Sequence, residues 1–449
     1  MDKKLLTTLF LGVLLGAMDI AVLGPALPAI RSQFGVSDRA LSWLLNAYVL
    51  ANLVGTPLLA KLSDRLGRRS IYLACVSLFA VGSLWAILSP SWNQLVFARV
   101  LQGFGAGGIF PIATATIGDL VPMDKRGRIL GLIGAVFGIA FLIGPILGGV
   151  CLLFSWHWIF LINLPLSAVV LWLASRHLPS VPRTDRKPFD FLGMGLLGAS
   201  LLGLSASLNL LDTHAVLKSL TSFPVLPLLL GTVTTAAVFF WNETRVQDPI
   251  IHPQLLRIGG VRVSMVLGLA IGLVQVAGTT FFPSFASAAF HVPHHQASFM
   301  LIPLVLGITV GSPAIGRILD RTGPRPLILG GLVVLSACFA LLALLPPTLS
   351  GFYAVSTLLG LFMTTLQGPV RYAALNAAPA SERAASQALV TMNSSIGSIA
   401  AAAAMGAIIA DTPGLPGFSQ AYLATAAALF LALFAAFFLP KHIPRSKTN

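Results

Sequence analysis

Lys61-Leu62-Ser63-Asp64-Arg65-Leu66-Gly67-Arg68-Arg69 lies between two long apolar runs, and Arg317-Ile318-Leu319-Asp320-Arg321-Thr322-Gly323-Pro324-Arg325 lies between two later ones. Each sets Asp-Arg-x-Gly in a tight turn joining one helix to the next. Asp64 and Asp320 stand 256 positions apart, and Asp64 lies 63 residues from the start, so a second unit begins near position 257. The chain therefore divides into residues 1–178, a six-helix unit, residues 179–256, two inserted helices with their linkers, and residues 257–449, a second six-helix unit.

Composition places these helices in lipid. Of 449 residues, 56% are hydrophobic and 9% charged, whereas a soluble globule carries about 25% charged residues. Apolar runs of roughly 20 residues, the length a helix needs to cross ~30 Å of hydrocarbon, recur from end to end. The alternating pattern of a membrane barrel is absent. Spans fall at 5–30, 40–60, 70–89, 93–117, 127–150, 156–175, 190–210, 223–241, 261–284, 297–316, 326–345, 351–371, 385–410 and 419–439. This predicts an all-α membrane protein of fourteen transmembrane helices, with short loops and both termini cytoplasmic. Duplicated helical units of this kind enclose a ligand path at the interface between repeats.

The net charge of +14 is sorted by side. With the N-terminus inside, 24 of the 28 Lys and Arg residues fall in cytoplasmic segments, Arg31, Arg39 and Lys218 fall outside, and Arg99 lies within a span. That is the positive-inside bias; it orients the chain and argues against a nucleic-acid partner. The N-terminal apolar run ends in Pro25-Ala26-Leu27-Pro28 with no small-residue cleavage site, and reads as a retained first helix. Cys75, Cys151 and Cys338 are scattered over separate runs, a spacing that fits neither a disulfide framework nor a metal site.

Five stretches, in order, resemble the major facilitator superfamily, and within it the fourteen-helix drug:proton antiporters of the EmrB/QacA type. They are the first Asp-Arg-x-Gly loop, Met18 to Pro28 (MDIAVLGPALP), Arg99 to Gly107 (RVLQGFGAG), Gly138 with Gly144-Pro145-Ile146-Leu147-Gly148-Gly149, and Trp156 to Pro165 (WHWIFLINLP). The helix-five glycines are similar to a signature of antiporters rather than symporters. The chain departs from the pattern at Ala60, where Gly is usual, at Ala21 and Gly24, where Thr and Asn are expected, and at His157, which replaces Arg. The resemblance implies a major facilitator fold, two six-helix bundles plus two extra central helices, in a bacterial inner membrane.

Asp19 lies mid-span among Leu14, Leu15, Ile20 and Val22. A carboxylate there is costly and such acids usually face a cavity and do a job; this one suits a proton carrier, charged when open to one side and neutral when closed. Arg99 and Gln102 lie one turn apart on the fourth helix, Arg99 placed to pair with an acid or to sense protonation of Asp19. Asp64, Arg65, Arg68, Arg69, Asp320 and Arg321 read as gating residues, with Asp64 near the start of the third helix, where the helix dipole favours a carboxylate. Arg68 and Arg69 can reach Asp119. Gly134, Gly138, Gly144, Gly148 and Gly149 read as close-packing positions, with a bend at Pro145. Asp19, Asn46, Gln102, Gln275, Thr279, Phe282, Gln367 and Asn393 are candidates to line a substrate path. His291, His294 and His295 have no acid or cysteine nearby and read as solvated; no metal, cofactor or catalytic grouping is expected.

These readings converge on proton-coupled efflux of a small lipophilic compound by a monomer, with rocker-like alternating access. A single embedded acid favours neutral or monocationic substrates. Export of a dedicated product, such as a siderophore or lipid, and uptake symport are the rival readings.

Overall fold

The two Asp-Arg-x-Gly turns end in glycine because the backbone demands it. Gly67 (φ 98°) and Gly323 (φ 77°) occupy the left-handed region, which a side chain at Cβ disfavours. In the computed structural model Gly67 separates α2 (Asp38–Leu66) from α3 (Arg68–Leu88). Residues 3–36, 38–179, 190–210, 216–223, 225–247, 249–251, 253–292, 294–345, 348–412 and 414–439 are described, and every regular element among them is helical.

In chain order the remaining long helices are α1 (Lys3–Phe34), α4 (Trp92–Leu120), α5 (Met123–Leu152), α6 (Asn163–His177), α7 (Phe191–Asn209) and α8 (Val225–Glu243). They continue as α9 (Gly259–Gln275), α10 (Ile302–Thr322), α11 (Pro324–Leu344), α12 (Leu349–Ala377), α13 (Arg383–Asp411) and α14 (Leu415–Phe437). Gly323 separates α10 from α11 as Gly67 separates α2 from α3. The duplication is visible in length: α3 and α11 are both 21 residues, and α4 and α12 both 29. α9 passes through a π-helical turn, Val276–Thr280, into a further helix, Phe282–Phe290.

Twelve helices among the described residues are long and apolar enough to cross a membrane, two fewer than the fourteen spans expected. The two outside that count are α5 and α7; residues 141, 142, 145 and 146 of the one and 205, 208 and 209 of the other have side chains outside the described set, and the count covers described residues alone. Outward-facing Leu88, Trp85, Phe430, Leu431 and Phe434 are exposed apolar side chains of the sort lipid covers.

Each half has its own core. Leu9, Tyr72, Phe79, Ile109 and Ile112 are buried in the first, and Leu267, Phe285, Phe339, Leu359 and Tyr422 in the second. The halves meet chiefly along α5 and α10, where a Cβ at Gly316 would lie 2.6 Å from the Gly127 carbonyl oxygen. A second seam joins α2 and α4 to α13 through Ala60, Ala115, Ala384 and Ala388. α7 and α8, the pair expected between the two units, pack on each other and against this seam, where Leu197, Leu201 and Phe239 cluster with Leu53, Leu58 and Leu389. Asp190 caps α7 by accepting from Gly193 N at 2.8 Å, and it also accepts from Asn242 Nδ2 of α8 at 2.6 Å.

Candidate functional site

Asp19 is placed halfway along α1, and four other helices supply what surrounds it. Its Oδ2 lies 2.5 Å from Nη1 of Arg99 on α4. Its Oδ1 accepts from Asn163 Nδ2 of α6 at 2.8 Å and from Gln102 Nε2 at 3.3 Å. Gln102 also accepts from Arg99 Nη1 at 3.0 Å through Oε1 and donates to Ser83 Oγ of α3 at 2.8 Å. Arg99 reaches α2 as well, donating Nε to the Leu44 carbonyl at 3.2 Å and lying 4.4 Å from the Tyr48 ring centroid. Arg99 is 0% exposed and Asp19 4% exposed. A carboxylate and a guanidinium thus neutralise each other in a dry site, the condition under which a buried pair is tolerated.

The chemistry of this arrangement is asymmetric. Arg does not deprotonate, whereas Asp can accept a proton. A proton on Asp19 would leave Arg99 without its counter-charge, and Arg99 Nη2 already lacks a hydrogen-bond partner. Protonation therefore forces the network to rearrange. Gln102, expected to line a substrate path, is 0% exposed and committed to Asp19, Arg99 and Ser83. Sequence reading missed Asn163, Ser83, Tyr48 and the Leu44 carbonyl as members. Asn163 carried a signal, a lone amide in the apolar Trp156 to Pro165 stretch.

A second network ties the halves together at the end of the bundle that carries the two glycine turns. Asp64 ion-pairs with Arg68, whose Nε lies 3.1 Å from Asp119 Oδ2 on α4. Asp119 Oδ1 lies 2.9 Å from Arg383 Nη1, which opens α13 in the other half. Asp64 Oδ2 accepts from Ala385 N at 3.3 Å, so the helix start it serves is α13 of the opposite half rather than α3. Asp320 does the mirror-image work, accepting from Gly127 N at 2.7 Å and Arg128 N at 2.9 Å near the start of α5. Arg126 of α5 bonds to Asn376 of α12, and Tyr372 Oη donates to the Met123 carbonyl at 3.2 Å. Arg69, expected to reach an acid, instead donates to the Ser175 carbonyl within its own half.

The other predicted residues do not form one site. Phe282 is 0% exposed and stacks on Phe352 at 4.8 Å, so it belongs to the second core. Gln275 is exposed and Thr279 half-buried; Thr279 donates to the Gln275 carbonyl at 2.6 Å at the π turn. Asn393 is half-buried and donates to the Leu389 carbonyl of its own helix at 2.9 Å, and Asn46 and Gln367 are half-buried. Gly138 meets Thr309 of α10, and Gly144 meets Ala21 of α1, where the small side chain allows close approach. A Cβ at Gly149 would meet open space, so close packing does not explain that glycine. α5 runs unbroken through position 145, and the side chain of Pro145 lies outside the described residues, as do those of His294 and His295. Among the described residues no group of His, Cys, Asp and Glu could hold a metal.

The span expected at 351–371 ends on Arg371, which counts there among the cytoplasmic cations. α12 continues six residues further, to Ala377, which sets Arg371 about 9 Å inside the helix end at 1.5 Å per residue.

The family model described as Major Facilitator Superfamily matches residues 9–273 and 263–449. The chain belongs to the Major Facilitator Superfamily. It is similar to the uncharacterized MFS-type transporter YfiU of Bacillus subtilis, at 34% identity over 76% of this chain and 67% of that protein. It is 32% identical to an uncharacterized MFS-type transporter of Mycobacterium tuberculosis over 78% of this chain, spanning about half of that relative's length (51%). Multidrug resistance protein 3 of Bacillus subtilis is 29% identical over 77% of this chain and 67% of that protein. Among solved structures the human organic anion transporter MFSD10 superposes with a TM-score of 0.71, covering 97% of this chain and 99% of that one at 19% identity, a likeness of fold alone. A multi-pass helical membrane protein of this transporter superfamily is the reading these likenesses and the fold support together.

Proposed function

We propose that the chain is a proton-coupled exporter of small lipophilic compounds of the multidrug type, working by alternating access as a monomer in a bacterial plasma membrane. In this reading α5 and α7 also cross the bilayer, giving the fourteen spans of the drug:proton antiporter branch, and the glycine-turn end is cytoplasmic. The observation that carries it is the buried Asp19–Arg99 pair at 2.5 Å, an acid whose protonation state is coupled to the packing of five helices. The ion pairs and capped helix starts at the glycine-turn end then hold the cytoplasmic side shut, and the Asp119–Arg383 contact breaks when the halves rock.

Magnitudes are consistent with one proton per cycle. One charge moved through 100 mV is worth about 2.3 kcal/mol, so a proton-motive force near ~150 mV supplies ~3.5 kcal/mol. That sustains a gradient of a few hundredfold for a neutral substrate, at about 1.4 kcal/mol per tenfold. Asp19 is matched by Arg99, so the site adds no net charge of its own. The substrate class proposed here is therefore lipophilic compounds bearing at most one net charge.

The test is dye efflux in everted vesicles or proteoliposomes under an imposed pH gradient, comparing the native chain with Asp19→Asn. Gradient-driven transport by the native chain, with binding but no gradient-driven transport by Asp19→Asn, is the expected outcome. Equal transport by both would remove Asp19 from coupling.

A further inference from the structure

We propose that Arg371 receives an anionic group of the substrate, so that the preferred cargo is a lipophilic acid or zwitterion rather than a cation. This rests on the efflux reading and narrows its substrate class. Arg371 is half-buried inside α12, with its guanidinium 4.3 Å from the ring centroid of Phe110 on α4, so the contact spans the two halves. Its Nη1 donates to Thr391 Oγ1 of α13 at 3.0 Å. Arg68, Arg99 and Arg383 each have a carboxylate partner; among the described residues Arg371 has none.

A guanidinium offers five donors in a planar fork that matches a carboxylate. One hydroxyl and one ring face leave most of that fork unused. The ring stabilises the cation without neutralising it, and a charged side chain inside a helical bundle usually pairs with an opposite charge or with carbonyls, or marks a substrate path. Beside Arg371 stands a second incomplete group. Gln387 is 0% exposed and donates Nε2 to the Arg371 carbonyl at 3.0 Å, while its Oε1 has no partner. Phe137 of α5 meets Phe110 edge-on at 5.6 Å and is itself half-buried. A cation with spare donors and two aromatic rings, drawn from both halves, suit a flat apolar molecule carrying a carboxylate, and the Gln387 acceptor would take a hydroxyl or N–H elsewhere on it. A cationic substrate would meet Arg371 as a like charge.

The experiment uses the full chain and three fluorescent probes of one aromatic skeleton, bearing a carboxylate, its neutral amide or an amine. Binding to detergent-purified protein is measured first, then uptake into everted proteoliposomes under a pH gradient. The native chain should bind the carboxylate about tenfold more tightly than the amide, as a charge-assisted bidentate contact implies. Arg371→Gln should erase that preference while leaving amide binding within about twofold, and Arg371→Lys should restore part of it. Equal binding of carboxylate and amide by the native chain overturns the proposal, as does an Arg371→Gln variant that weakens both probes alike at unchanged melting temperature. If Arg371-dependent carboxylate binding appears but no probe moves with the gradient, the anion site stands and the proton-coupled efflux reading falls.

Discussion

The charge of one residue decides the stability of another around Asp19. Asp19→Asn removes the counter-charge of a fully buried Arg99, and breaking one side of a buried pair costs about 3–5 kcal/mol. Purified Asp19→Asn should therefore melt well below the native chain. Adding Arg99→Gln to it should recover most of the melting temperature and none of the gradient-driven transport. A double variant that melts as low as the single one would show that the cost does not arise from the orphaned cation. Arg99→Lys is not a mild change here. The fork that spans Asp19, Gln102 and the Leu44 carbonyl has no equivalent in an ammonium, so transport should fall at least tenfold, read as initial uptake rate.

Between elements, the two halves clasp each other by matching devices with one difference. α4 and α12 have the same length, and Asp119 and Asn376 both stand one residue before their last. Asp119 meets the charged Arg383 of the opposite half, while Asn376 meets Arg126 as a neutral acceptor. Asn376→Asp would give the second clasp the charge of the first. Turnover should slow severalfold while the melting temperature stays level or rises, and an unchanged rate would mean that opening this end does not limit transport. The α5–α10 contact is steric instead. Gly316→Ala would place a methyl 2.6 Å from a backbone oxygen that cannot turn aside, and overpacking of this kind costs about 1–3 kcal/mol. Loss of stability together with transport is expected, seen in thermal unfolding and efflux of the same preparation.

For the whole molecule, alternating access requires the α2–α13 seam to part. Ala60 and Ala384 belong to one buried cluster from opposite sides of it, and the native Cys75, Cys151 and Cys338 are buried. Ala60→Cys combined with Ala384→Cys, bridged by a short cleavable bifunctional thiol reagent, should lose transport and regain it on reduction. Full transport by the bridged protein would place the moving boundary elsewhere. α7 and α8 lie against this same seam, which gives them a physical means of influencing how readily it opens.

Much of this was legible in the sequence because lipid reads composition directly. Apolar length, the repeated Asp-Arg-x-Gly turn and its glycines follow from hydrocarbon thickness and from backbone sterics, which act on short segments regardless of what packs beside them. The sequence likewise pointed to Asp19 and Arg99, since each stands out as a charge inside an apolar run. It could not show that Asn163 and Ser83 complete their site, because uncharged polar residues in a span look alike whichever neighbour they meet. Nor could it reveal that Asp64 and Asp320 each accept from backbone N–H groups near a helix start in the opposite half, or that Arg371 lies against Phe110 with its charge unmatched. Those are contacts across 192 to 321 positions of chain, and only the packing of helix on helix, which brings distant segments within hydrogen-bond range, decides which of them form.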